Sequence, residues 1–301
     1  MTIFSKIALV GVGNMGGPMA VHLAKAAERF CVYDLRGEVA AKVAADSGGT
    51  VAATLAEAAE GADLVVTMLP SAEVVRNVLF GPGDCLTERL PKGALVVDMS
   101  SSYPPTTQQT GAELAEHGAT LLDAPVSGGV KRAVTGELAI MLGGDDAAAL
   151  DRAQPALETM GRIFRSGRLG SGHALKALNN YVSAAGLTAA CAALQVGERF
   201  GLDPTIMIDT INASTGRNNA TEVKFHPFII PRDFSSGFAL DLMAKDLKAA
   251  GDLAEELGLD LPPLQQEVDL WARAKERLAP GADHTEVFRY LEAQAGKGHK
   301  S

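Results

Sequence analysis

Residues Lys6 to Ala20 read KIALVGVGNMGGPMA. The apolar run Ile7-Ala8-Leu9-Val10 breaks into Gly11-Val12-Gly13-Asn14-Met15-Gly16, and Met19, Leu23 and Ala26 then recur at helical spacing. A strand that passes through glycines directly into a helix narrows the folds open to the chain. Gly11 permits a tight turn, Gly13 offers no side chain to obstruct a phosphate, and Gly16 lets the helix pack close to its sheet. The free N–H groups of the first helical turn then point at the anion. Pro18 is harmless there, where its missing donor has no partner to lose. A second apolar run, Phe30 to Tyr33, ends at Asp34, where such a motif places an acid for a ribose hydroxyl. Gly11, Val12, Gly13, Asn14, Met15, Gly16 and Asp34 are therefore the expected dinucleotide site. The alternative is an ordinary turn in a chain with 32 glycines.

The order of elements supports the first reading. Strands are expected at Ile7–Val10, Phe30–Tyr33, Leu64–Leu69, Ala94–Asp98, Thr120–Leu122, Leu138–Leu142 and Arg162–Arg165. Helices are expected between them at Glu38–Ala45, Thr54–Ala59, Pro105–His117 and Ala147–Met160. This alternation predicts an α/β fold, a Rossmann-type doubly wound and mostly parallel sheet with helices on both faces. Past Gly167 long Ala/Leu-rich segments take over: His173–Phe200, a helix starting at Asp203-Pro204, Leu242–Leu257 and Pro263–Leu278. The expected domains are 1–166, binding the dinucleotide, and 167–301, an all-α substrate and oligomerisation domain. The cleft between them is the default substrate site. The tail from Gly296 is expected to fray.

Composition excludes several partners. A net charge of −9 without a basic cluster argues against nucleic acid. The uncharged run Ala177–Val196 carries Asn179, Asn180, Ser183 and Gln195, so it reads as a buried helix and no membrane span is expected. Cys31, Cys85 and Cys191 are too scattered for a disulfide framework or zinc site, and the histidines lack ligand spacing, so no metal is expected. The N-terminus lacks an export signal, which with the cysteines predicts the cytoplasm.

Three further segments carry chemistry. Asp123-Ala-Pro-Val-Ser127-Gly128-Gly129 follows a strand; Ser127 and the glycine N–H groups suit a carboxylate, or Ser127 simply caps a helix. Lys176 and Asn180 are one helical turn apart on an otherwise apolar helix, a costly arrangement unless they meet a ligand or polar partners. Such a lysine can exchange a proton with an alcohol or carbonyl oxygen; the bland alternative is a snorkelling lysine with Asn180 as a cap. Lys245-Asp246 interrupts an amphipathic helix, either to reach a ligand or as a surface pair. His173, one turn before Lys176, either tunes it or caps locally.

Together and in this order, these segments resemble the β-hydroxyacid dehydrogenase family across nearly the whole chain. The signature is Gly11 to Ala20, followed by Asp123–Gly129, Gly170–Asn180 and Lys245-Asp246-Leu247. The resemblance implies hydride transfer between a nicotinamide and the hydroxyl-bearing carbon of a small 3-hydroxy acid, or reduction of the matching semialdehyde. It implies Lys176 as general acid/base and Asn180 holding the reacting oxygen. Ser127, Gly128 and Gly129 would bind the substrate carboxylate. Phe238 and Lys245 would line the nicotinamide side, and Leu69, Pro70 and Ser101 would contact the cofactor. Asp34 favours NAD and repels the extra phosphate of NADP, while Arg36 softens that repulsion, so weaker NADP use is expected. The decarboxylating relative, 6-phosphogluconate dehydrogenase, has a glutamate where this chain has Ser183, which favours simple oxidation or reduction. Alternatives are a sugar-acid or sulfonate semialdehyde reductase and a non-catalytic nucleotide-binding module. Lys131-Arg132 reads either as a second anionic handle for such a substrate or as solvated charges at a helix start, and Arg217-Asn218-Asn219 is a further segment within reach of the cleft. The Ala- and Gly-rich helix His173–Phe200 predicts a homodimer or homotetramer.

Overall fold

The structure is a computed structural model that describes residues 4–296. The tail beyond Gly296, including His299, lies outside the described residues.

The apolar runs become strands because both of their faces are covered. The strands are β1 (Phe4–Val10), β2 (Ala27–Tyr33), β3 (Thr50–Val51), β4 (Leu64–Thr67), β5 (Leu95–Asp98), β6 (Thr120–Asp123), β7 (Val126–Ser127), β8 (Leu138–Gly143) and β9 (Gly161–Gly167). They form one sheet in the order β3-β2-β1-β4-β5-β6-β8-β7, with β9 alongside β8. All pairings from β3 through β6 are parallel. β8 runs antiparallel to β6 and β7 and parallel to β9. Every residue of β4 and β5 is buried, which is why these strands read as continuous apolar runs. Ile7 and Leu9 enter one apolar cluster while Ala8 and Val10 enter another, so alternate residues feed the two sides of the sheet.

The covering helices are α1 (Gly16–Leu23), α2 (Gly37–Ser47), α3 (Leu55–Ala59), α4 (Ala72–Phe80), α5 (Pro104–Glu116), α6 (Gly129–Thr135) and α7 (Ala147–Leu157). Thr54, Ser71 and Asp146 cap α3, α4 and α7 with their side chains. Next comes α8 (Ser171–Phe200), then α9 (Pro204–Asn212), α10 (Asn219–Val223), α11 (Leu240–Glu256), α12 (Pro262–Arg277) and α13 (Val287–Ala295). Leu187, Leu194, Phe225, Trp271 and Phe288 are buried at the centre of the helical part, each contributing about 1.5–3 kcal/mol or more by leaving water.

The described residues group into two compact units that divide between Lys176 and Ala177, whereas the change of sequence character falls at Gly167, where β9 ends. The first turns of α8 stay with the sheet because Asp123, at the end of β6, accepts the N–H groups of Gly170 and His173, each at 2.8 Å. Two strands and several helices have no counterpart in the sequence reading. β3 and β7 span two residues each, too short to show a period, and α6 is a single short helix after a glycine pair.

Candidate active site

The glycine turn lies between β1 and α1, and two of its glycines are required by the protein itself. Gly11 has φ 90°, and a Cβ there would stand 2.4 Å from the Met68 carbonyl oxygen. A Cβ on Gly16 would stand 2.0 Å from the Gly11 carbonyl oxygen, so only glycine lets α1 start this close to the strand. Gly13 differs: the nearest atom to its Cβ position is an Arg36 Nη at 3.4 Å, which leaves the backbone open to a ligand. This cradle fits a dinucleotide pyrophosphate.

Asp34 follows β2, beside the turn. Its Oδ2 accepts the Val12 N–H at 3.0 Å, and its Oδ1 accepts from the Arg36 main-chain N at 3.0 Å and Nε at 3.1 Å. Burial pushes this carboxyl up, but the Arg36 bonds, the Val12 N–H and the Arg36 charge outweigh it and hold the group below the usual carboxylate range. A carboxylate has about four acceptor positions, so three donors leave little room for two ribose hydroxyls until Arg36 swings aside. The Arg36 side chain is 60% exposed, which leaves it room to do so.

Leu69-Pro70 and Ser101 follow the carboxyl ends of β4 and β5, neighbours in the sheet. A hydrogen-bonded chain joins them: the Leu69 N–H donates to Ser100 Oγ at 2.9 Å, and the buried Ser100 N–H donates to Asp98 Oδ1 at 3.0 Å. Asp98 also accepts from Thr67 Oγ1 at 2.9 Å and Ser102 Oγ at 2.8 Å. Burial raises the carboxyl of Asp123, with the His173 charge, the His173 and Gly170 N–H groups opposing it.

Ser127 ends β7 and is not a cap; Gly128 holds the cap position of α6 and Gly129 begins the helix. Both glycines have positive φ, 133° and 67°, and are exposed. Arg132 lays its methylenes over Gly128, where a Cβ would lie 2.7 Å from its Cδ. Arg217 pairs with Glu222 at 3.6 Å, and Asn218 caps α10 through its side chain, which gives that segment a structural role.

Lys176 and Asn180 are buried, at 9% and 6% exposure, one turn apart on α8. Asn180 Nδ2 donates to Asp246 Oδ2 at 2.6 Å, and its Oδ1 accepts from Asn179 Nδ2 at 3.2 Å. Asp246 lies on the buried face of α11 with Met243, Leu247 and Ala250. Lys245 Nζ is 3.7 Å from its Oδ1. The surface-pair reading of Lys245-Asp246 thus gives way: Asp246 is an inward residue that fixes the Asn180 amide. Its spacing from Met243, Leu247 and Ala250 marks it as facing inward.

Phe238 precedes α11 and is fixed from behind. Its N–H and that of Gly237 donate to Asp283 Oδ2 at 3.2 and 2.8 Å, and its ring meets His284 edge-on at 5.4 Å. Lys224 Nζ lies 2.8 Å from His284 Nε2. Burial lowers Lys224 to about 8 and also lowers His284. This cluster was not visible in the sequence, where its members are separated by up to 60 positions.

The strand order, the glycine turn and the carboxylate after β2 define a Rossmann-type dinucleotide-binding protein. Residues 6–170 match the family described as the NAD binding domain of 6-phosphogluconate dehydrogenase. Residues 170–291 match the family described as NAD-binding of NADP-dependent 3-hydroxyisobutyrate dehydrogenase. The chain is 35% identical to 2-(hydroxymethyl)glutarate dehydrogenase of Eubacterium barkeri, over 97% of this chain and 96% of that one. It is 32% identical to 3-sulfolactaldehyde reductase of Escherichia coli, over 96% and 97%. The solved structure of Mycobacterium tuberculosis 3-hydroxyisobutyrate dehydrogenase with L-serine superimposes with a TM-score of 0.85 at 34% identity, over 97% of this chain and 99% of that one. The chain belongs to the β-hydroxyacid dehydrogenase family and is an NAD-dependent dehydrogenase, with NADP use consistent with the second matched family.

Proposed function

We propose that the protein interconverts a small 3-hydroxy acid and its semialdehyde, with Lys176 as general acid/base. The observation that carries this is the buried Lys176 with Asn180 one turn away, the Asn180 amide fixed by buried Asp246. A lysine can exchange a proton with the oxygen of a hydroxy acid, and an amide one helical turn away on the same face can orient that oxygen.

When bound, the nicotinamide supplies the hydride chemistry. Gly11 to Gly16, Asp34, Leu69, Pro70 and Ser101 hold the dinucleotide, and Phe238 and Lys245 line its nicotinamide side. Ser127, Gly128 and Gly129 bind the substrate carboxylate. In oxidation the proton on the substrate hydroxyl passes to Lys176 Nζ, while in reduction Lys176 returns it to the carbonyl oxygen. Asn180 orients that oxygen. Residues 1–166 serve as the dinucleotide-binding domain and 167–301 as the substrate and oligomerisation domain.

A sulfonate semialdehyde is the second substrate reading, favoured by the 32% identity to 3-sulfolactaldehyde reductase. No helix among the described residues is long and apolar enough to cross a membrane, and the three cysteines are free and buried; we place the protein in the cytoplasm. The protein is a homo-oligomer in this reading, because α8 leaves Val182 at 68%, Val196 at 70% and Phe200 at 83% exposure along an Ala-rich helix.

The test is Lys176→Ala, assayed with 3-hydroxyisobutyrate, 2-(hydroxymethyl)glutarate and sulfolactaldehyde. Turnover falls by about 10³-fold, while NADH binding followed by nicotinamide fluorescence stays close to wild type. Turnover that survives the substitution overturns the acid/base role.

A further inference from the structure

His173 is fully buried and its ring reaches away from its own helix. Nε2 lies 3.1 Å from the Ser100 carbonyl oxygen, which can only accept, so Nε2 carries a proton and donates. Nδ1 lies 2.8 Å from Thr107 Oγ1 on α5, and the main-chain N–H donates to Asp123 Oδ2 at the end of β6. The carboxylates of Asp98 and Asp123 stand 3.7 and 3.8 Å from the two ring nitrogens. A local helix cap would need none of this. A core histidine filling space would not face three separate segments with both nitrogens engaged.

The segments it joins give the ring a place in the reaction. Ser100 is the residue whose hydroxyl accepts the Leu69 N–H at 2.9 Å, and it adjoins Ser101. Leu69, Pro70 and Ser101 are the residues read as cofactor contacts after β4 and β5. On the other side, His173 precedes Lys176 by one helical turn. Leu69, Ser100 and His173 are therefore linked by hydrogen bonds, the helix turn carries the link on to Lys176, and all four residues lie within the sheet unit.

We infer that His173 is a positioning residue that ties the strand-end loops proposed to hold the cofactor to the helix turn carrying Lys176. It rests on the proposed role of Lys176. Its effect follows from geometry: proton transfer and hydride transfer on adjacent atoms need both partners in register, and a displacement of about 1 Å costs on the order of 100-fold in rate. Glutamine retains a donor at similar reach toward the Ser100 carbonyl. Leucine fills the volume and removes both ring bonds.

The experiment compares His173→Leu, His173→Gln and Thr107→Val with wild type, after thermal unfolding establishes that each is folded. NADH affinity is measured by fluorescence titration, independently of turnover. With the hydroxy acid on which wild type turns over fastest, His173→Leu lowers kcat by about 100-fold and weakens NADH about tenfold, the equivalent of one lost hydrogen bond, while the KM for the hydroxy acid moves little. His173→Gln recovers most of both losses. Thr107→Val, which leaves the bond at Nε2 and removes the one at Nδ1 together with the Thr107 hydroxyl's bond to the Tyr103 carbonyl oxygen, gives a smaller loss of the same kind and keeps the test open should the leucine variant not fold. A folded leucine variant with unchanged kcat and NADH affinity overturns the inference, as does a glutamine variant no better than leucine. Should wild type turn over no hydroxy acid, the proposed function fails while the NADH titrations still test the link to the cofactor loops.

Discussion

In the sheet unit β1, β4 and β5 feed apolar clusters on both sides, and their polar groups collect at the carboxyl ends, where Asp98, Ser100, Thr107, Asp123 and His173 satisfy one another. The helical unit has a single main core, polar clusters set into helix packing, and Val182, Val196 and Phe200 exposed along its longest helix. The difference teaches how each unit holds a site. A parallel sheet places ligands beyond its strand ends whatever the side chains, so a short glycine motif suffices to announce the place. A helical unit has no such rule. It fixes Asn180 and Phe238, both assigned to the proposed site, through individual partners, buried Asp246 and half-buried Asp283, and it leaves apolar side chains exposed along α8.

The contrast breaks most visibly at Asp283. Burial raises its carboxyl, but bonds from His284, Thr285 and Ser236 outweigh this and hold it well below the usual range. Asp283→Ala removes the acceptor for Ser236 Oγ and for the N–H groups of Gly237, Phe238 and Thr285. We expect a loss of about 2–4 kcal/mol, read as a lower urea midpoint, with the Phe238 side of the site impaired. Because the folded carboxyl is depressed, its contribution is complete above the unfolded value of about 4 and is lost as pH falls below it. The wild-type midpoint should therefore approach that of the variant in acid. An unchanged midpoint at pH 7 would show that the helical unit does not depend on this anchor.

On the sheet side, Asp34→Ser removes the charge that repels the extra phosphate of NADP and releases Arg36 from Asp34. The ratio of kcat/KM for NADP over NAD should rise by about 100-fold, as expected for relieving a like-charge contact worth about 3 kcal/mol. A ratio that does not move would mean that cofactor choice is made elsewhere than after β2.

Val182→Asp tests the exposed apolar face. Association should weaken by about 1–3 kcal/mol, seen as a shift toward monomer in light scattering on dilution. Val74→Asp on α4 of the sheet unit, where Val74 is 38% exposed, should leave the assembly intact. A monomeric wild type, or equal effects of both substitutions, would remove the distinction between the units.

Most of the sheet was legible because buried parallel strands must be continuous apolar runs, as in Leu64–Thr67 and Leu95–Asp98. β3 and β7 were not, since two residues have no period. Lys176 and Asn180 stood out as polar residues on an apolar helix, a local signal. For Lys245-Asp246 a ligand contact and a surface pair both stood open, although the spacing of Asp246 with Met243 and Leu247 places it on the buried face. Asp283, Lys224 and His284 gave no local signal, because what unites them is contact across the fold.

By itself the sequence determined the alternation of elements, the glycine turn with Asp34, and the turn of helix that bears Lys176 and Asn180. These depend on neighbours within a few positions, where backbone sterics and side-chain period decide the outcome. Only the tertiary structure decided that the Gly11 turn packs against the Met68 carbonyl, that Asp246 meets Asn180, and that His173 reaches Ser100 and Thr107 across 73 and 66 positions. Burial makes each polar group find a partner. Which partner it finds is set by packing, and packing is not written in any one stretch of the chain.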